Sequence, residues 1–407
     1  MSEERKIKLP AELLGMQTQE EALEVAVRPS KIFIGIPRER TFQENRISLT
    51  PEAVSLLVNR GSRVVIETKA GDAAHIYDTD FSEAGAEIAY SPEDVFKADI
   101  LLKAAPVTPD EIKMMNFNQT LISPIHLPTI NADFLQMLMA KKVTALAYEY
   151  IKDGAETFPI VRSMSEIAGN TSILLAAEFL SNLQHGKGIL LGGITGVRPA
   201  TVVILGAGTV AEYAAQTAIG LGAEVRIFDN SIYKLKRLQS NLGKRVFTSV
   251  IREDVLREEL NNADVAIGAI HSKLGRTPII VSEEMVATMK AGSVIIDVSI
   301  DQGGCFETSE VTSHSKPFFK KYDVIHYCVP NIPSKVPRTA SAAISNVLAP
   351  MLKDAGKSGG FDKMLYQNPN LRHGVYLYKG SLTNKHLCEK FNIKHTDLDL
   401  LFAAASL

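Results

Sequence analysis

Polar residues stand where several apolar runs of this sequence end, the positions at which open α/β sheets present ligands and chemistry. His126 follows a run in "ISPIHLP", stiffened by prolines on either side. Asp301 closes "SVIIDVSID" ahead of two glycines, and Lys103 closes "ADILLK". Arg46 lies in "RERTFQENRISLTP" with Arg38 and Arg40. An arginine fork can hold a substrate carboxylate through two parallel hydrogen bonds, although any one of these arginines could equally serve a surface ion pair. A histidine, with an ordinary pKa of about 6.5, suits proton transfer near neutrality. Taken alone, His126 is open to a structural or a catalytic reading. Asp301 is better placed for function than Asp297, which suits capping or pairing inside the sheet. A lysine at a strand mouth, as at Lys103, fits either a solvated edge or a working site.

A second group binds rather than reacts. The strand from Val202 to Leu205 runs into Gly206-Ala207-Gly208-Thr209-Val210-Ala211, a G-x-G-x-x-A opening a helix. Gly206 permits the tight turn, Gly208 lets backbone approach a pyrophosphate, and Ala211 lets the helix pack closely with its N-terminus toward the phosphates. A further strand ends in Asp229, 23 positions after Gly206, near the expected spacing of about 20. Its carboxylate can accept both ribose hydroxyls and would repel a 2′-phosphate. The stretch therefore reads as a dinucleotide site with NAD favoured over NADP, and Arg226 and Lys234 lie near enough to soften that preference. Asn331, in the loop "HYCVPNIPSKVPRT", could reach the nicotinamide.

These residues need a scaffold of alternating elements. From Lys31, "KIFIGIP" reads as a strand and "TPEAVSLLVNRG" as a helix with Thr50 at its N-cap, Pro51 first and Gly61 to stop it. "SRVVIET", "ADILLKAAP", "TLISPIH" and "VTALAYEY" continue as strands between helices, the pattern of βαβ units and parallel sheets. A helix over "EIAGNTSILLAAEFLSNLQ", a second α/β series and a helix over "ASAAISNVLAPMLKDAG" follow. Long helices flanking a complete nucleotide-binding unit imply that the C-terminal segment returns to the first domain. The expected organisation is an arm at 1–30, a substrate domain at 31–160 plus 339–407, and an inserted Rossmann domain at 161–338. "TQEEALEVAV" in the arm could form a short helix.

With 407 residues, two α/β domains are the natural expectation. A net charge of −2 gives no reason to expect nucleic acid or an anionic membrane as partner. Cys305, Cys328 and Cys388 are too few and scattered for a disulfide framework, and no metal-ligand spacing is visible, so a reducing cytoplasm fits. No signal segment or membrane span is legible. His271 and His326 read as local hydrogen-bonding groups, and no neighbouring base argues for Cys305 as a nucleophile.

The blocks "IGIPRERTFQENRISLTP", "AYEYI", "SMSEIAG", "GKGILLGGITGVRPATVVILGAGTVAEYAA", "VIIDVSIDQGGCFE" and "HYCVPNIPSKVPRT" occur in one order from Lys31 onward. Together they resemble the family of alanine dehydrogenases and the NAD-binding subunit of proton-pumping transhydrogenase, with "DQGGCFE" and "SMSEIAG" nearer the dehydrogenase branch. The resemblance implies an NAD domain inserted in a substrate domain, an amino acid or keto acid with ammonia as small-molecule partners, and a homo-oligomer, often a hexamer. By matching position it implies that Arg46 binds the substrate carboxylate, His126 is the general acid/base, and Asp301 assists proton movement beside the nicotinamide. Ser165, Thr209, Val210, Asp229, Lys234, Val298 and Asn331 would line the cofactor.

One departure stands out. Where the family's strand ends in a lysine, one residue and a second, substrate-contacting lysine, this chain has Lys103-Ala104-Ala105-Pro106. Lys103 matches the first lysine and Ala105 occupies the place of the second. Residues two apart on a strand share a face, so Lys103 could lean into the same site, with its Cα some ~6–7 Å away. The leading expectation is NAD-dependent oxidative deamination of L-alanine. The alternatives are hydride transfer on another amino or keto acid, and a non-catalytic transhydrogenase-like NAD-binding subunit.

Overall fold

Short apolar runs between capped helices fold as buried strands, which assemble into two sheets in the computed structural model. It describes residues 31–41, 43–126, 130–272 and 275–405; the arm at 1–30 and its expected helix lie outside the described residues. The first sheet receives β1 (Phe33–Ile36), β2 (Arg63–Glu67), β3 (Glu87–Ala89), β4 (Ile100–Leu102), β5 (Thr120–Ser123) and β6 (Thr144–Ala147). The chain then builds a second sheet from β7 (Thr201–Leu205), β8 (Glu224–Phe228), β9 (Phe247–Ser249), β10 (Val265–Gly268), β11 (Val294–Asp297), β12 (Phe318–Lys321) and β13 (Val324–Tyr327). It returns to the first with β14 (Val375–Tyr378) and β15 (Ser381–Leu382).

The strand orders are β15-β14-β6-β5-β4-β1-β2-β3 and β12-β13-β11-β10-β7-β8-β9. Pairing is parallel except where β12 meets β13 and where β14 meets β6 and β15. The fold is thus α/β, two Rossmann-like units with mostly parallel sheets, the second sheet lying in sequence between strands of the first. Among the parallel strands the order reverses between β1 and β4 in one sheet and between β7 and β10 in the other, the places where such folds open a crevice at the carboxyl ends. The loop carrying Arg46, Lys103 and the Gly206 turn follow β1, β4 and β7 in turn.

Two long helices link the sheets. Pro159–Ser181 begins seven residues before the "EIAGN" stretch that periodicity marks, because Pro159 supplies a pre-set first turn; it therefore runs across the expected boundary at 160. Pro337–Lys357 brings Ile344, Leu348 and Leu352 into the same core as Ile34, Ile66 and Leu146 of the first sheet. That burial is the physical reason the C-terminal segment returns. Two other expectations shift in detail. The strand over "VTALAYEY" stops at Ala147, and Tyr148–Tyr150 turn as a 3-10 helix. The Pro51–Val58 helix has Thr50 at its N-cap position without a side-chain cap bond; Thr50 gives its N–H to Ser345 Oγ at 3.1 Å instead.

Candidate active site

The glycine turn is built by close packing. Gly206 has φ +112, and a Cβ there would sit 2.4 Å from the Ala269 carbonyl oxygen across the β7–β10 switch, so only glycine fits. A Cβ on Gly208 would meet nothing within 4 Å, so the backbone borders open space on that side. Ala211 is fully buried. Behind it, Gly169 of the Pro159–Ser181 helix packs where a Cβ would lie 2.5 Å from Val210 O. Ser165, one helical turn before Gly169, shares that face; Ser165, Thr209 and Val210 are all half-buried.

Asp229 is 8% exposed and accepts from Ala207 N at 2.8 Å and Ser231 N at 2.7 Å. Its carboxylate is therefore fixed at the rim of the turn. Lys234 is exposed, its Nζ 3.9 Å from Asp229 Oδ2, and Arg237 Nη2 donates to Ala207 O at 3.0 Å. Val298 is half-buried in the turn after β11.

The residues expected to react lie on the loops beyond this turn. Arg46 is 9% exposed and donates through Nε and Nη2 to Glu44 at 2.7 and 2.6 Å. Burial opposes its charge, but the Glu44 hydrogen bonds and the charges of Glu44, Tyr148 and Glu39 outweigh it and raise the pKa, so the guanidinium stays cationic. His126, just beyond β5, holds φ +49. Its backbone N–H and that of Ile125 (2.7 Å) donate to Glu149, whose carboxyl is pushed up to about 7 by burial against those bonds. His126 opens onto the cleft, yet the walls displace enough water to lower its pKa; Arg46 lowers it further, and Asp301 and Glu44 oppose.

Asp301 follows β11 in the Val298–Gln302 turn and also faces the cleft. Burial raises its pKa, while the Asn331 N–H at 2.9 Å, His126 and Arg46 pull it back. His126, Asp301 and Arg46 thus feel one another's charge across the two domains. Asn331 sits at φ +56 and reaches Glu44 Oε2 through Nδ2 at 3.1 Å. Asp297 takes the internal role: fully buried, it accepts from Cys305 N at 2.9 Å, Ser299 N at 3.0 Å and Ser309 Oγ at 2.7 Å, folding the "DQGGCFE" loop around itself.

Lys103 is placed differently from an expectation of direct substrate contact. It is 1% exposed, and its Nζ lies 2.8 Å from Glu39 and 2.9 Å from Glu111. Burial disfavours the ammonium, but the two carboxylates overrule it and raise its pKa. Ala105 is buried beside it at 2% exposure. His326 is likewise internal, between Thr308 Oγ1 and Val324 O; His271 is exposed.

Glu44, Glu149 and Glu39 were not singled out by motif. Glu44 stood two residues before Arg46, an acid beside a base in one loop, and that spacing was the available signal. Among the described residues no group of histidine, cysteine and acidic side chains could hold a metal ion, and no helix is long and apolar enough to cross a membrane.

Two doubly wound units sharing one cleft, a glycine turn on one side and an Arg–His–Asp cluster spanning both, define a two-domain nucleotide-dependent enzyme. Comparison with known proteins makes this specific. The N-terminal domain model of alanine dehydrogenase/PNT matches residues 35–168 and the C-terminal domain model matches 172–385. An alanine dehydrogenase of Staphylococcus saprophyticus is 36% identical over 369 residues, spanning 90% of this chain and 99% of its own. One from Mycolicibacterium smegmatis is 37% identical, spanning 90% and 98%. A solved L-alanine dehydrogenase superposes with a TM-score of 0.83 at 37% identity, covering 89% of this chain and 99% of its own. A transhydrogenase from Sinorhizobium meliloti, at 22% identity and a TM-score of 0.74, shares the fold. The chain belongs to the alanine dehydrogenase/PNT family.

Proposed function

We propose that this chain is an NAD-dependent amino-acid dehydrogenase that interconverts L-alanine with pyruvate and ammonia. The observation that carries the reading is the run of hydrogen bonds from Arg46 through Glu44 and Asn331 to Asp301, which joins the two domains at one cleft, with His126 near enough to feel the charges of Arg46 and Asp301. The glycine turn fits a dinucleotide: the open side of Gly208 admits a pyrophosphate, and Asp229 stands where ribose hydroxyls would be accepted and a 2′-phosphate repelled. Thr209, Val210, Ser165, Lys234, Val298 and Asn331 would line it. Bound NAD supplies a hydride acceptor.

The chain's own residues do the rest. Arg46, permanently cationic, anchors the substrate carboxylate. Asp301 favours the cationic imine electrostatically as hydride leaves the alanine Cα. His126, held below the ordinary histidine pKa and so neutral near pH 7, accepts a proton as water adds to the imine carbon. The imidazolium returns that proton to the amine nitrogen, and His126, neutral again, takes the hydroxyl proton as the C–N bond breaks, leaving pyruvate and ammonia. A homo-oligomer in a reducing cytoplasm is part of the same reading; its cysteines are free among the described residues, and Leu190, Ile194 and Val197 expose apolar surface on one hairpin.

Ala105, where the family carries a lysine, favours a second reading in which another keto acid is preferred. The deciding experiment follows alanine-dependent NAD reduction, and NADH oxidation with pyruvate plus ammonia, on the wild type and Ala105→Lys. Wild-type turnover is expected. Turnover in Ala105→Lys alone would point to a different natural substrate. Silence in both, with NADH still bound, would favour a non-catalytic binding subunit.

A further inference from the structure

Arg46 reaches the cleft already gripped. Glu44 Oε1 accepts from its Nε at 2.7 Å and its backbone N–H at 3.0 Å, and Oε2 accepts from Nη2 at 2.6 Å. The Nε–Nη2 side of the fork is therefore filled. A ligand carboxylate is left the Nη1–Nη2 end, where Nη1 lies 3.4 Å from the Met164 sulfur, a weak acceptor that a carboxylate readily replaces. Displacing Glu44 instead would strand a carboxylate whose side chain is 3% exposed, and an unpaired buried charge is costly.

The same Glu44 Oε2 accepts from Asn331 Nδ2 at 3.1 Å, and Asn331 gives its backbone N–H to Asp301 Oδ1 at 2.9 Å. Asn45, next along the loop, is pinned to the same segment: its N–H donates to Ser334 Oγ at 2.8 Å and its Nδ2 to Ser334 O at 3.1 Å. Contacts thus run without a break from Arg46 through Glu44 and Asn331 to Asp301.

We propose that Glu44 is the positioning residue of this cleft. It sets the angle at which Arg46 presents its Nη1–Nη2 end to the carboxylate of a short 2-oxo or 2-amino acid. It also ties that angle to the placement of Asn331 and Asp301 beside the cofactor. The substrate half of the proposal rests on the dehydrogenase reading; the cofactor half rests on the Glu44–Asn331 contact.

The test uses the full chain with Glu44→Gln and Glu44→Ala. Glutamine keeps an oxygen for Asn331 Nδ2 but sets an amide NH2 against the guanidinium; alanine removes both contacts. The readouts are KM and kcat for pyruvate with NADH and ammonia, the NADH dissociation constant by fluorescence, and the melting temperature. Glu44→Gln is expected to raise the pyruvate KM about tenfold, with the loss concentrated in KM, and to move NADH affinity less than about twofold. Glu44→Ala is expected to add a fall in NADH affinity of about fivefold. An unchanged KM, or equal NADH affinity in the two variants, would overturn the proposal. So would kcat and KM worsening together in step with a lowered melting temperature, the mark of a merely structural role. A wild type that binds NADH without turning over pyruvate sinks the dehydrogenase reading, yet the NADH comparison still decides the bridge. A wild type that does neither overturns both.

Discussion

Lys103 shows what a single side chain gains and loses on folding. Read along the strand it is a cation at a cleft mouth; in three dimensions its charge is spent on Glu39 and Glu111, with Glu39 also accepting from Ala104 N at 2.5 Å. Burial pushes the Glu39 carboxyl up and Lys103 pulls it back, so the lysine is what keeps two inward carboxyl groups tolerable. Removing one member of such a cluster leaves the others uncompensated, which costs about 3–5 kcal/mol. Lys103→Met is therefore expected to lower the denaturation midpoint sharply in urea. A variant with wild-type stability and a raised substrate KM would instead mean that the ammonium serves the substrate directly. None of this could be read from "ADILLKAAP", because Glu39 arrives from 64 residues away through the β1–β4 reversal. Arg46, His126 and Asp301 were legible as candidates because each lies in the segment that follows a strand, and strand ends converge in this topology. Glu149 acts through partners that no local pattern names, and so does Glu44 where it reaches Asn331.

At the scale of elements, the Tyr148–Tyr150 turn matters more than its length suggests. The sequence "VTALAYEY" alternates well enough to pass as one strand, but after Ala147 the chain turns and Glu149 swings under the β5 loop to accept the N–H groups of Ile125 and His126. That grip supports a non-glycine residue at φ +49, a conformation that needs its surroundings to hold it. The glycine turn was the opposite case. Gly206, Gly208, Ala211 and Asp229 were legible because the approach of backbone to a ligand permits few residue types. The Glu149 carboxyl titrates at about 7 in the fold against an ordinary 4.5. The folded protein consequently binds more protons than the unfolded chain between those values. Its contribution to stability is fully present below the lower value and is lost as pH rises through the upper one, a loss of up to about 3 kcal/mol. Glu149→Gln cannot ionise. In paired melts at pH 5 and pH 8, the variant is expected to improve relative to wild type at the higher pH. A gap independent of pH would mean that Glu149 titrates as an ordinary carboxyl.

For the whole molecule, the decisive contacts are between the two ends of the described chain. The Pro337–Lys357 helix presents Ser341 and Ser345 one turn apart. Their hydroxyls accept the N–H of Ile47 at 2.9 Å and of Thr50 at 3.1 Å, pairing residues 294 and 295 positions apart in sequence. Both serines are nearly inaccessible, so these bonds have no water to replace them, and losing such a partner costs about 1–3 kcal/mol each. Ile344, Leu348 and Leu352 on the same helix, with Phe361, Leu365 and Phe402 beyond it, complete the core over β1, β2 and β6, while β14 covers the β6 edge. The second sheet has its own apolar clusters, which draw on residues 168–332. Cutting the chain after residue 336 therefore strips core from one domain and leaves the other closed. In that truncated chain, hydrogen exchange is expected to show protection lost across β1–β6 and retained across β7–β13. NADH binding should survive and alanine turnover vanish. Protection persisting in β1–β6 would show that the first sheet stands without its returning segment; protection lost in both would show that the inserted unit leans on its host as heavily as the host leans on the C-terminal helix.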